Sequence, residues 1–508
     1  MVRGRALALP RTLAGVGKPL RSGVAAALVF LASGAVLVLE VIGLRLIGPY
    51  VGVSLQTSSA VIGVALAAIA YGAWTGGWFA DRIDPRHLLA PALLLAAVAT
   101  ALTLPIVRYA GDLLRGASAG GILLLTTLAV FVPSALLSAV PPLVVKLQLG
   151  DLRYTGQVVG RLSSIGTLGG ITATLGTGFV LVAAFPSSAI VLGLAGLLAV
   201  AGVACAVYLR ALRRRTVAAT LVAVLAGGAL VASAPDPCDV ETAYHCARVV
   251  VDPAREGGRL LLLNSARHSY VDLEDPTHLE FAYTQWIGAL VDVLRPPGAP
   301  IDALHLGGGG FTMPRYVGAT RPRSRSLVVE IDGGLVALDR ARLGVRESPE
   351  LAIRVGDARL GVADAPDDAY DLVVGDAFGH YTVPWHLTTR EFVADIARTL
   401  RRGGVYALNV IDFPPARFVR AEVATVAAVF PYVALVAAPA AIAGTATSGN
   451  FVLFAAETPL PVDELEDRLD ALSPSVALVT GAELVSFTDR ARVLTDDYAP
   501  VDQLLVRP

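Results

Sequence analysis

Four consecutive glycines, Gly307, Gly308, Gly309 and Gly310, follow an apolar run at 301–306, and Glu330 closes the next apolar run twenty residues later. Glycines directly after a buried strand let the backbone turn sharply and approach a ligand closely, and an acid ending the neighbouring strand can accept both hydroxyls of a ribose. The chemistry implied is capture of a nucleoside-type cofactor. Two more acids stand in comparable places: Gly356-Asp357-Ala358 follows the run at 351–355, and Asp376 follows the run at 370–375. Open α/β sheets bind ligands at the carboxyl ends of neighbouring strands, and three acids fall there. Glu330 would hold the ribose, and Asp357 the exocyclic amine of an adenine. The competing expectation is that Asp357 and Asp376 cap the elements after them, a common use of Asp at such positions.

A sheet must hold these residues in register, and the pattern after 236 supplies one. The runs at 244–251 and 259–264 read as a β-hairpin closed by Glu256-Gly257-Gly258, with 270–273 as a third strand. A helix is expected at 279–293. Beyond it, strands at 301–306, 326–331, 351–355, 370–375 and 404–411 alternate with helices at 312–319, 333–343, 388–400 and 416–429, and final strands fall near 432–438 and 449–455. Alternation of this length implies a parallel sheet with right-handed crossovers. The expected division is a membrane domain at 1–235, a β-hairpin subdomain at 236–295 and an α/β domain at 296–508.

The first half has a different composition. The whole chain has 508 residues, 55% apolar and 16% charged, with a net charge of -1, so no global charge points to nucleic acid. Runs of about twenty apolar residues, long enough to cross a bilayer, lie near 22–47, 57–80, 88–107, 121–145, 162–184, 187–209 and 217–234, the last being the shortest. Lys and Arg number fourteen in the tail and the connections on one side and two on the other, which places the N-terminus in the cytoplasm. The basic, rather polar start before a full-length apolar run favours a retained first span over a cleaved signal. If the seventh run spans, everything after it lies outside, and Cys238 and Cys246 sit where a disulfide can form; two free thiols are the equal alternative. An exterior domain conflicts with an intracellular cofactor supply, and the charge pattern alone leaves the side open. Glu40 and Arg45 are intramembrane charges that could pair, Pro141-Pro142 suggests a broken helix, and the small residues at 166–178 a close-packed one.

The segments 304–315, 328–332, 356–357 and 370–378, with the tail Leu494-Thr-Asp-Asp-Tyr-Ala-Pro500, resemble the polyamine aminopropyltransferases, the spermidine synthase family. The apolar half is similar to the membrane region fused to such domains in some bacterial proteins, and 76–82 resembles the cytoplasmic loop of major-facilitator transporters. The resemblance implies a Rossmann-like, class I methyltransferase-type sheet. It also implies decarboxylated S-adenosylmethionine as co-substrate, a polyamine-type amine as acceptor and no metal. Carried onto this sequence, it makes Asp376 the group that orients the amine and takes its proton. Gly307, Gly308, Gly309, Glu330, Asp357 and Ala358 then form the cofactor cradle. Tyr283, Glu280 and Tyr381 become substrate contacts, Tyr381 within a lid at 379–388. A six- or seven-helix unit resembles half of a facilitator, so transport of its own would require a homodimer.

The chain departs from the family at several positions. Gly310 stands where an acid contacting the aminopropyl amine is usual, Phe311 replaces a glycine, Gly379 replaces a second acid, and Thr284 replaces a glutamine. Glu280, Asp412, Asp496 and Asp497 are the acids that could compensate. Two alternatives follow: methyl transfer from S-adenosylmethionine itself, and a polyamine or nucleoside transporter or sensor whose soluble domain binds without turnover.

Overall fold

The computed structural model describes residues 20–505 apart from 53–54, 115–118, 150–151, 211–221, 223–225, 232, 235–237, 265, 380–381 and 473–475. The chain divides into two compact units, Met1–Asp236 and Pro237–Pro508.

Among the described residues the first unit has six helices long and apolar enough to cross a membrane: Ser22–Val51, Leu55–Ala80, Pro85–Leu113, Ala119–Gln148, Thr155–Ala184 and Ser187–Tyr208. Half of the expected seventh span at 217–234 lies outside the described residues. Glycine sets how closely these helices pack. A Cβ at Gly169 would stand 2.3 Å from the carbonyl oxygen of Phe30, and one at Gly72 would stand 2.1 Å from that of Ala135, so backbones touch there as small residues permit in helix bundles. The expected break near Pro141 falls at Ala139, where the fourth helix is interrupted; a π-helical turn, Thr127–Phe131, precedes it. The Glu40–Arg45 pair does not form. Arg45 donates to Ser187 Oγ at 3.1 Å, while Glu40 makes no hydrogen bond or ion pair among the described residues. Asp81 pairs with Lys146 at 2.7 Å, and Arg82 stacks on Trp78.

The second unit opens with a four-stranded antiparallel sheet, β1 (Val240–Glu241), β2 (Cys246–Val251), β3 (Gly258–Leu263) and β4 (Ala266–Asp272). This exceeds the expected hairpin. The last strand begins at Ala266, ahead of the expected 270, because the polar pair Arg267-His268 hides its alternation. Eight further strands form one sheet: β5 (Asp302–Leu306), β6 (Arg325–Glu330), β7 (Leu351–Val355), β8 (Tyr370–Gly375), β9 (Leu400–Asp412), β10 (Tyr432–Ala437), β11 (Gly449–Ala456) and β12 (Ala477–Thr480). Their spatial order is β12-β10-β11-β9-β8-β5-β6-β7.

The five strands from β9 to β7 are parallel, as the strand–helix alternation predicts, and the fold is Rossmann-like. The three strands beyond β9 are antiparallel. Parallel neighbours need a crossover of a dozen or more residues, and the short link between β10 and β11 cannot supply one. Chain direction through the sheet reverses between β5 and β8, which pair directly, Leu306 opposite Gly375. The glycine run follows β5 and Asp376 follows β8. Both therefore face the crevice where such sheets hold ligands.

Candidate functional site

Gly307 has φ +94°, and a Cβ on it would lie 2.4 Å from the carbonyl oxygen of Asp376. Only glycine lets the two loops approach so closely. Glu330, 6% exposed at the end of β6, accepts the Gly308 N–H at 2.7 Å on one carboxylate oxygen and the Asp332 N–H at 2.9 Å on the other. Each oxygen keeps a lone pair, so the acid that braces the glycine loop can still accept hydroxyl protons. Phe311, where a glycine is usual, keeps the left-handed backbone at φ +61° and is fully buried against Val328, Val336 and Val345. Its ring anchors the start of the following helix.

Behind Glu330 lies a clasp that the sequence left open. Cys238 and Cys246 are disulfide-bonded, and the loop they close carries Thr242 and His245. Thr242 Oγ1 donates to the Asp332 carboxylate, and His245 Nδ1 lies 3.0 Å from it. Asp332 also caps the helix Gly333–Arg342.

Asp357 and Asp376 separate the two expectations for strand-end acids. Asp357 is a cap: one oxygen accepts the N–H groups of Arg359 at 2.9 Å and Leu360 at 3.2 Å. Its other oxygen lies 3.2 Å from His386 Nε2, so the face assigned to an adenine amine is shared with a histidine from the expected lid. Ala358 begins the capped helix and is buried. Asp376 caps no helix among the described residues. Asn409 Nδ2 donates to one oxygen at 2.8 Å, Tyr283 OH to the other at 3.1 Å, and Asn450 Nδ2 donates to Asn409 Oδ1 at 3.0 Å. Burial pushes the Asp376 carboxyl up to about 6, with the two donors restraining the rise. Burial and the neighbouring Asp376 hold the Tyr283 hydroxyl far above its ordinary value, so it remains a neutral donor.

These groups wall a cavity of about 340 Å³, shared with Glu280, Phe378 and, from β4, Arg267 and His268. Glu280 is the expected acid that reaches it. Asp412 does not: its oxygens accept the N–H groups of Phe413 and Val419, at 2.7 and 2.9 Å. Asp496 forms a two-pronged pair with Arg359 at 2.8 and 2.6 Å, and Asp497 is exposed. Thr284 is buried and donates to the Phe281 carbonyl, away from the cavity. Tyr381 lies outside the described residues. The described part of the 379–388 segment is anchored by buried Val383 and Leu387, while Trp385 is 52% exposed.

Asn409, Asn450, Arg267 and His268 are site residues that the sequence reading missed. Asn409 carried a signal: a carboxamide inside the otherwise apolar 405–411 run, expensive to bury without a partner. Gly310 has a steric explanation. Its N–H donates to Ser269 Oγ at 3.0 Å, and a Cβ there would meet Ser269 Cβ at 3.0 Å and Val271 Cγ1 at 3.4 Å, pointing into β4. An acid at 310 would be forced against β4 in a buried position. Gly310→Asp is expected to lower stability by about 2–4 kcal/mol without tightening amine binding; an unchanged melting temperature of the detergent-solubilised protein would refute this packing.

No family model matches the chain. Among curated proteins, a polyamine aminopropyltransferase of Vibrio vulnificus is 27% identical over 217 residues, covering 40% of this chain and 70% of the relative. One from Pyrobaculum calidifontis is 30% identical over 179 residues, covering 33% of this chain and 59% of the relative. Among solved structures, a probable spermidine synthase from Corynebacterium glutamicum matches with a TM-score of 0.48 and 28% identity, over 51% of this chain and 95% of that one. The chain is thus homologous to polyamine aminopropyltransferases over part of its length.

Proposed function

We propose that the second unit transfers an aminopropyl group from decarboxylated S-adenosylmethionine to an amine, and that the first unit holds it at a membrane. The observation that carries this reading is the enclosed Asp376, raised to about 6 and held by Asn409 and Tyr283, beside a glycine loop braced by Glu330. The donor's adenosyl group lies along the glycine loop, its ribose on Glu330, and its reacting carbon faces Asp376. The amine lone pair attacks the carbon bonded to the sulfonium. A C–N bond forms, the C–S bond breaks with its electron pair going to sulfur, and methylthioadenosine leaves. The amine's proton passes to Asp376, a base whose affinity lies close enough to neutrality to accept it and release it again. Asn409 and Tyr283 fix the carboxylate's orientation.

Six long apolar helices with large side chains on their outer faces, such as Phe179 at 79% exposed, support membrane insertion. With the N-terminus inside, six spans return the chain to the cytoplasm and a seventh near 217–234 would carry the second unit outside, the side that the Cys238–Cys246 bridge supports. The transporter reading has less support. A cavity of about 800 Å³ in the first unit offers hydroxyls from Ser33, Ser163, Thr167 and Thr174 but no carboxylate among its described lining, so a polyamine would meet no counter-charge there.

The test is calorimetry of the full-length, detergent-solubilised protein with methylthioadenosine, S-adenosylmethionine and its decarboxylated form. Binding of the decarboxylated donor at least tenfold tighter than the carboxylated one is expected. Binding of none of the three sinks the cofactor reading, and preference for S-adenosylmethionine replaces aminopropyl with methyl transfer.

A further inference from the structure

We infer that the amine acceptor is a diamino acid, an amine carrying a carboxylate that Arg267 binds, and not a simple diamine. This rests on the aminopropyl-transfer reading of the same site and narrows its substrate class.

Arg267 reaches the cavity from β4, and its guanidinium carbon stands 5.2 Å from the centre of the Phe281 ring, two residues before Tyr283. Stacking on an aromatic face fixes a guanidinium without consuming its hydrogen-bond donors. Among the described residues Arg267 has no carboxylate within ion-pair distance, so its planar fork remains available for one.

The other charges give the same answer. Glu280 and Asp376 are the two carboxylates of the described lining. His268 contributes no positive charge near neutrality, because burial lowers its affinity for a proton to about 4, with His245 adding to the effect. Two carboxylates and one guanidinium leave a net charge of minus one. A diamine brings two positive charges, which Asp376 and Glu280 match, and leaves Arg267 without a counter-charge. A diamino acid brings two ammonium groups and one carboxylate, a net charge of plus one, and each group has an opposite partner: the attacking amine at Asp376, the second ammonium at Glu280 and the carboxylate at Arg267. The two positions where the family keeps further acids are Gly310, which faces β4, and Gly379, so neither position adds a negative charge to the cavity.

The experiment measures methylthioadenosine release by the full-length protein in detergent, with decarboxylated S-adenosylmethionine and a panel of acceptors. Diaminopropane, putrescine and cadaverine are compared with 2,4-diaminobutyrate, ornithine and lysine, which match them in spacing and add a carboxylate. The expected kcat/KM is at least tenfold higher for each diamino acid than for its matched diamine. Arg267→Gln is expected to shift that ratio at least tenfold towards the diamine, mainly through the KM of the diamino acid, and Arg267→Lys to restore part of it. Arg267 lies at an exposed position, so these variants remain folded. Preference for diamines in the native protein, or equal losses for both classes in Arg267→Gln, overturns the proposal and leaves aminopropyl transfer standing. No release with any acceptor overturns both.

Discussion

Asp376→Asn is expected to impair the proposed transfer while leaving the fold intact: kcat should drop by about 10²–10⁴-fold, the usual contribution of a positioned base. The asparagine oxygen still accepts from Asn409 Nδ2, and its amide can donate to Tyr283 OH, so both hydrogen bonds in the site survive. Stability is expected to hold or rise. Burial lifts the Asp376 carboxyl from 3.8 to about 6, so its ionised form costs the folded state about 3 kcal/mol at neutral pH. The sign follows from that direction. A raised carboxyl favours folding of the protonated form, so this cost is absent below about pH 4 and is incurred as pH climbs through 6. The rate moves the opposite way, because the base is the ionised form: activity should fall about tenfold per unit as pH drops below 6. The variant should lose that acid limb. Thermal unfolding and kcat against pH, measured on both proteins, check these outcomes together; retention of full turnover would remove Asp376 from the mechanism.

Glu330→Gln should act on binding. The carboxylate accepts two backbone N–H groups, at 2.7 Å from Gly308 and 2.9 Å from Asp332, at a 6% exposed position. A glutamine has one acceptor oxygen, and its amide then faces an N–H donor. Losing one charge-assisted bond and stranding its donor costs about 1.5–3 kcal/mol, and the ribose hydroxyls lose their acceptor as well. Affinity for methylthioadenosine is expected to fall ten- to hundredfold by calorimetry, with kcat at saturating donor changing far less. An unchanged Kd would mean that Glu330 serves the glycine loop alone.

The strand-end placement of these residues could be read from the sequence because its signals are local. Gly307 to Gly310, Glu330 and Asp376 each sit at a strand end, and the alternation of strands and helices already implies that those ends converge. What resisted reading depends on contacts between distant segments. Asn409 and Asn450 come from β9 and β11, 41 residues apart, and meet because β11 pairs antiparallel with β9. Arg267 and His268 interrupt the apolar alternation of β4, so the residues that bring chemistry to the cavity also disguised their strand. Asp357 and Asp376 look alike in sequence, and the difference between a cap and a caged carboxylate lies in what surrounds them. Gly310 is a missing acid in the sequence and a packing requirement in the fold, since Ser269 and Val271 occupy the space a side chain would need. Cys238 and Cys246 were evenly balanced between thiols and a bridge until the turn between β1 and β2 joined them.

The most direct measurement is the product formed by the full-length protein given decarboxylated S-adenosylmethionine and a mixed pool of amines. Aminopropyl transfer at Asp376 predicts methylthioadenosine and an aminopropylated amine in roughly equal amounts, both absent with Asp376→Asn. Formation of S-adenosylhomocysteine from S-adenosylmethionine, with no methylthioadenosine from the decarboxylated donor, would contradict it.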